Sequence, residues 1–166
     1  MTLLRLLNSA VDTNSGRARF VLRASLLAIA PSLLVFGMLV AMGIDTLRTP
    51  TGLDPAFVAY SVLLAPVIET AAMLALAAVL ARLVPRHVAL QIVLIALVAA
   101  LAHRIGGNWR QVVNTIWPLL VYATSVVLWL RRSASDAFIV TTIVHALYNM
   151  AFFAVGILGP LAMGDG

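Results

Sequence analysis

Five long apolar segments dominate the chain and leave few folds open to it. Because about 20 apolar helical residues span the roughly 30 Å hydrocarbon core of a bilayer, each segment is a candidate transmembrane helix. The segments are Phe20–Gly43, Phe57–Ala81, Val88–His103, Val112–Leu130 and Ala137–Leu158. Hydrophobic residues make up 63% of the chain and charged residues only 10%, whereas soluble domains are about one quarter charged. The sequence therefore predicts an integral membrane protein.

The connectors between the segments are short and carry proline, glycine or charge. They read TLRTPTGLDP, VPRH, RIGGNWR and RRSASD. Breaks of this kind predict turns between helices and give no sign of a second domain. The segments also lack the alternating apolar and polar pattern that a transmembrane barrel requires. We therefore expect an all-α, polytopic bundle of about five transmembrane helices, forming one domain over residues 1–166.

The basic residues, all eleven of which are arginine, are distributed unevenly. Five spans place eight of them on the side of the N terminus and leave Arg48, Arg104 and Arg110 on the other. Because basic residues concentrate in cytoplasmic loops, this bias predicts a cytoplasmic N terminus. Arginine without lysine, together with alanine-rich spans, favours a GC-rich bacterial genome and hence a bacterial inner membrane. The net charge of +5 then reflects topology and contact with anionic lipids, and we expect no nucleic-acid partner because no basic run is interleaved with aromatic residues.

The single glutamate of the chain, Glu69, lies in the middle of the second apolar segment. An unpaired carboxylate at the bilayer centre costs several kcal/mol, so intramembrane acids usually have a function. Three more polar side chains lie at membrane depth, namely His103, His145 and Asn149. The last two are four residues apart and share a helical face. At about 1.5 Å per residue, they and Glu69 are expected roughly 12–18 Å from the cytoplasmic side and His103 near 22 Å.

Several neighbouring residues shape the expected surroundings of Glu69. Pro66 removes the helical partner of the Val62 carbonyl, which predicts a kink beside protein or a wet cavity. Small residues after Glu69 predict close approach of neighbouring helices; they are Ala71, Ala72, Ala75, Ala77 and Ala78. Aromatic residues near span ends are predicted to be interfacial anchors; they are Trp109, Trp117, Tyr122 and Trp129. We therefore expect a tight bundle with a small polar chamber.

The order of these polar residues resembles the CPBP family, the CAAX prenyl endopeptidases and the bacteriocin-processing or Abi-type intramembrane proteases. That family carries EExxxR, FxxxH and HxxxN on separate membrane helices. Here Glu69 begins ETAAML, His103 ends AALAH 34 residues later, and His145-Ala-Leu-Tyr-Asn149 follows after another 42. Thr70 and Leu74 replace the second glutamate and the arginine of the first motif, and Ala99 replaces the phenylalanine of the second. The similar region covers about residues 57–155.

The resemblance implies a metal-independent, glutamate-type intramembrane endopeptidase that needs no cofactor. Carried over by position, Glu69 and His103 would activate a water molecule for attack on a peptide carbonyl. His145 and Asn149 would donate hydrogen bonds to the developing oxyanion. The implied partners are the lipid bilayer and a membrane-associated peptide or protein substrate.

Other interpretations of the same residues remain open. Glu69, His145 and Asn149 could be structural partners between helices, and the departures at Thr70 and Leu74 would fit an inactive family member that acts as a scaffold or partner subunit. Proton-coupled transport is a further alternative, although no inverted repeat is visible. Glu69 and the histidines could also bind Zn²⁺ with one open position, although no H-E-x-x-H motif occurs. A homo-oligomer is possible in each case.

Overall fold

The structure, a computed structural model, describes residues 12–41, 54–106 and 109–163, which are almost entirely helical. A 3₁₀ turn at Thr13–Ser15 precedes the first long helix. The helices are α1 (Arg17–Ala41), α2 (Pro55–Ala59), α3 (Ala65–Leu83), α4 (Val88–Gly106), α5 (Trp109–Leu130) and α6 (Ala134–Met163). A π-helical segment, Tyr60–Leu64, joins α2 to α3 without a break. No strand occurs in the described ranges, so the predicted all-α bundle is confirmed.

Each predicted span coincides with an observed helix to within a few residues. Three helical stretches are long and apolar enough to cross a membrane, namely Arg17–Met38, Pro55–Leu83 and Ala134–Val155. Two shorter apolar stretches, Val88–His103 and Thr115–Leu130, lie between them in the chain. The predicted end of the first span at Gly43 and most of the connector that follows it lie outside the described residues, as do Arg5 and Arg48.

Helix α5 lies at the centre of the bundle and contacts α1, α3, α4 and α6. Its buried side chains run along most of its described length; they are Leu119, Val121, Tyr122, Ala123, Ser125, Val126, Val127 and Trp129. Neighbouring helices present buried alanines, such as Ala28 of α1, Ala96 of α4 and Ala137 of α6. Small residues let helix backbones approach closely, which is how membrane helices pack without a hydrophobic force between them.

Helix α3 packs on the bundle along one narrow stripe. Pro66, Thr70, Met73 and Ala77 are buried at spacings of four, three and four residues, which is one face of a helix. The prediction that the alanines after Glu69 mediate close packing is correct only for Ala77. The other four, Ala71, Ala72, Ala75 and Ala78, are exposed because they lie outside this stripe. Glu69 lies at the edge of the buried stripe.

Polar contacts close the end of the bundle where α1 and α6 begin. Arg17 forms an ion pair with Asp136, with Nη2 2.6 Å from Oδ1. Arg132, in the connector before α6, donates to the carbonyl of Thr13, and its guanidinium lies over the ring of Trp129. These contacts fix the starts of α1 and α6 against each other.

Candidate functional site

Glu69 lies between two histidines from different helices. Its Oε2 atom is 3.8 Å from Nε2 of His103 on α4 and 3.7 Å from Nε2 of His145 on α6. The side chain is 34% exposed, yet Oε2 itself is fully enclosed and has no hydrogen-bond partner among the described residues. Both distances are too long for direct hydrogen bonds, but they place one carboxylate oxygen beside the Nε2 atoms of both histidines. Three of the four predicted site residues therefore meet.

His103 is held in one tautomer by its own helix. Its Nδ1 lies 2.9 Å from the carbonyl oxygen of Ala99, one turn earlier in α4. Because a carbonyl only accepts hydrogen bonds, Nδ1 must carry the proton and donate it. In the neutral ring, Nε2 then presents a lone pair toward Glu69. The depth mismatch expected for His103 does not occur, since α4 brings the ring to the level of Glu69.

His145 is held by packing on the opposite side of Glu69. The residue is 5% exposed, and its ring stacks on Tyr122 of α5 with the ring centres 4.4 Å apart. Tyr148 of α6 meets the edge of the same Tyr122 ring at 6.0 Å. The Nδ1 atom of His145 has no partner among the described residues. Helices α5 and α6 thus fix this imidazole.

Asn149 lies on the same face of α6 as His145 but makes a different contact. Its Nδ2 donates to the carbonyl of Ser61 at 2.7 Å. Ser61 belongs to the π segment, in which the N–H of Ala65 donates to the carbonyl five residues back, that of Tyr60. The next bond in this pattern would run from residue 66 to Ser61, but Pro66 has no N–H. The Ser61 carbonyl is thus left without this helical donor, and Asn149 supplies one.

An apolar cleft of about 440 Å³ opens beside Glu69, between α3 and α4. Glu69 and His103 contribute its polar groups. Its apolar lining is Ala72, Met73, Leu76, Ile95, Val98, Ala99 and Ala102. Ala72, Val98 and Ala102 are exposed on the outside of the bundle, so the cleft opens sideways toward the surrounding lipid.

Buried polar atoms without protein partners collect on the inner side of the site. Besides Glu69 and His145, they include the hydroxyl groups of Thr70, next to Glu69, and of Tyr122. Thr141, one turn before His145, adds a third hydroxyl. Buried polar atoms are normally satisfied by protein or by ordered water. These groups make the inner side of the site polar. Within the described residues no group of three His, Cys, Asp or Glu side chains is arranged to hold a metal ion.

Tyr122 is the residue of the site that the sequence interpretation missed. Its prediction as an interfacial anchor is wrong, because the side chain is 2% exposed and stacks on His145. Its position carried the signal, since it lies 13 residues into the 22-residue helix α5 and therefore far from the helix start. A phenolic hydroxyl at that depth needs a polar neighbour.

Comparison of the chain with protein-family models, with curated proteins and with solved structures gives no match. The interpretation of the site therefore depends on its own geometry and chemistry.

Proposed function

We propose that this protein is an intramembrane endopeptidase of the CPBP type that hydrolyses a peptide bond with water activated by Glu69 and His103. The observation that carries the proposal is the convergence of Glu69 on two imidazoles, His103 and His145, beside a cleft open to lipid. We further propose a bacterial inner membrane as its location, with the N terminus and the arginine-rich end of the bundle in the cytoplasm.

The proton positions at Glu69 and His103 favour a bridging water. Neutral His103 offers a lone pair at Nε2, and an ionised Glu69 offers only acceptor oxygens. Two acceptors 3.8 Å apart repel each other unless a proton donor lies between them. A water molecule that enters from the cleft, which both side chains line, can donate one hydrogen to the carboxylate and one to Nε2, which leaves its own lone pairs free to attack a carbonyl carbon. General-base assistance of this kind contributes about 10²–10⁴-fold to a rate.

The reaction then proceeds with balanced proton transfers. As the water oxygen bonds to the peptide carbonyl carbon, Glu69 accepts one proton from the water. The carbonyl oxygen becomes an oxyanion, and His145 is the nearest donor when Nε2 carries its proton. The proton held by Glu69 passes to the leaving nitrogen as the carbon–nitrogen bond breaks. The predicted oxyanion role of Asn149 would have to use its second amide hydrogen, since the first is bonded to Ser61.

The cleft between α3 and α4 supports a membrane-embedded peptide as the substrate. A peptide entering from the lipid would place apolar side chains against Val98 and Ala102 and a carbonyl near Glu69. The volume of about 440 Å³ is in the range of sites that bind small ligands. No cofactor takes part in this scheme.

One experiment separates the endopeptidase from an inactive scaffold. Purified protein in lipid vesicles is incubated with transmembrane peptides in H₂¹⁸O, and new peptide ends are identified by mass spectrometry. We expect one ¹⁸O atom at each new carboxyl terminus. We expect Glu69→Gln to lower the rate of cleavage about 10²–10⁴-fold. Asp54→Asn is the matched control, because asparagine also caps a helix N terminus and Asp54 caps α2 far from the site.

Two results would overturn the proposal. If the Glu69→Gln protein still cleaves the peptides, Glu69 is not the base. If cleavage requires stoichiometric zinc, the metal-free scheme is wrong. Absence of cleavage across the peptide set, with Glu69→Gln folding normally, would favour the scaffold.

The orientation in the membrane is tested by a separate experiment. Single cysteines are introduced at Asn14 and at Asp54 in this cysteine-free chain. With a cytoplasmic N terminus, only the cysteine at position 54 should react with a membrane-impermeant thiol reagent on intact cells.

A further inference from the structure

The backbone of the second span changes its winding just before Glu69. In the π segment each hydrogen bond spans one residue more than in an α-helix, and the N–H of Ala65 reaches back five residues to Tyr60. One extra residue rotates all later side chains by about 100° relative to an uninterrupted α-helix. The π segment therefore decides which face of α3 carries Glu69 and turns that face toward His103 and His145.

The π segment has a defect that the helix itself cannot repair. Pro66 lacks the N–H that would donate to the Ser61 carbonyl. An unpaired carbonyl in a lipid environment is costly because no solvent is available to satisfy it. The Asn149 side chain supplies the missing donor from α6 at 2.7 Å. This bond joins two helices, and it lies one turn of α6 beyond His145.

We infer that Asn149 is a positioning residue, whose amide replaces the hydrogen bond lost at Pro66 and holds the π segment in the winding that presents Glu69 to the two histidines. The inference builds on the proposed use of Glu69 as a base, yet its test needs no substrate. It differs from the oxyanion role because Asn149 acts through the backbone of Ser61 and not through the reacting carbonyl.

Carbodiimide labelling reads the surroundings of Glu69 directly. A hydrophobic carbodiimide such as dicyclohexylcarbodiimide modifies carboxyl groups inside membranes, and Glu69 is the only glutamate of the chain. The rate at Glu69 is followed by mass spectrometry on the full-length protein in lipid vesicles. We expect Asn149→Ala to change this rate about 10-fold, since losing a hydrogen bond to a buried carbonyl shifts an equilibrium by about that factor.

Two controls separate the lost donor from a general disturbance. Asn149→Leu keeps a side chain of similar size that cannot donate a hydrogen bond, so it should change the rate as Asn149→Ala does. Met150→Ala, at the next residue, removes a side chain that is 50% exposed and should leave the rate unchanged. Thermal unfolding of each variant checks that the labelled protein is folded.

The decisive variant restores the missing N–H. In Pro66→Ala, residue 66 can donate to the carbonyls before it, so Ser61 gains a helical partner and no longer needs Asn149. The labelling rate of the Pro66→Ala protein serves as the reference. Adding Asn149→Ala to that protein should change the rate by less than about 2-fold, because the Ser61 carbonyl no longer depends on the Asn149 amide. This background also supplies a folded protein if Asn149→Ala alone does not fold.

The outcomes distinguish this inference from the proposed function. Wild-type labelling in Asn149→Ala and Asn149→Leu would overturn the positioning role. So would an undiminished effect of Asn149→Ala in the Pro66→Ala protein. If the labelling follows our expectation while no peptide is cleaved, the positioning role stands and the endopeptidase proposal fails. If cleavage depends on Glu69 but Asn149→Ala and Pro66→Ala change the labelling rate independently, the endopeptidase proposal stands and the positioning role fails.

Discussion

The two flanks of Glu69 differ in how they are packed. On the α4 flank, His103 borders an open cleft, and the neighbouring Val98 is 51% exposed. On the α5 and α6 flank, His145 is almost completely buried and stacked on Tyr122. The same carboxylate thus has one accessible side and one rigid side. This difference indicates a division of tasks, in which the open flank admits substrate and water and the closed flank holds a donor in place.

Replacing each histidine should give the largest effects and should separate the flanks. We expect His103→Gln to lower peptide hydrolysis about 10²–10⁴-fold with little change in melting temperature, because the ring lies at the cleft. His145→Gln should lower hydrolysis about 10²–10³-fold and also reduce the melting temperature, because it removes a buried stacked ring. The measurements are initial rates in vesicles and thermal unfolding in detergent. A larger loss of stability for His103→Gln would contradict the division.

Tyr122 tests the closed flank more finely. Tyr122→Ala removes a fully buried aromatic ring and should cost about 3–5 kcal/mol of unfolding free energy. Tyr122→Phe keeps the stacking on His145 and removes a hydroxyl that has no partner among the described residues, so stability should change by less than about 1 kcal/mol. Denaturant unfolding of both variants provides the measurement. If Phe proves as damaging as Ala, the hydroxyl and not the stacked ring holds this flank.

Filling the cleft should affect the open flank alone. Ala72→Phe places a ring in the cleft and should raise KM for membrane peptides about 10-fold, in line with the cost of steric mismatch in apolar pockets. Ala71→Phe is the matched control, since Ala71 is exposed on the same helix and does not line the cleft. Steady-state kinetics over a peptide series provides the test. Equal effects of both variants would mean that the cleft is not the route to Glu69.

The sequence predicts the bundle well because span length and apolar content are properties of single segments. All five predicted spans are helices, and the meeting of Glu69 with His145 follows from their predicted depths. What the sequence could not predict depends on contacts between segments. The outward position of Ala71 and Ala72 depends on which face of α3 packs on the bundle. The partner of Asn149 depends on the π winding, which leaves the Ser61 carbonyl without a helical donor.

The smallest effect is expected at the arginine-rich end, far from either flank. Asp136→Asn removes the ion pair with Arg17, in which the Arg17 side chain is 62% exposed and that of Asp136 is 15% exposed. Because the arginine is largely in solvent, the pair should be worth about 1 kcal/mol, the upper end of the range for surface ion pairs. Because the pair joins the starts of α1 and α6 and touches neither His103 nor the cleft, hydrolysis and KM should stay at the wild-type level. Thermal unfolding at low and high salt checks this, since salt screens an exposed ion pair and should narrow the difference between variant and wild type. A change in hydrolysis of the size expected for His145→Gln would mean that the start of α6, and not the stacking of Tyr122 on His145, holds the closed flank.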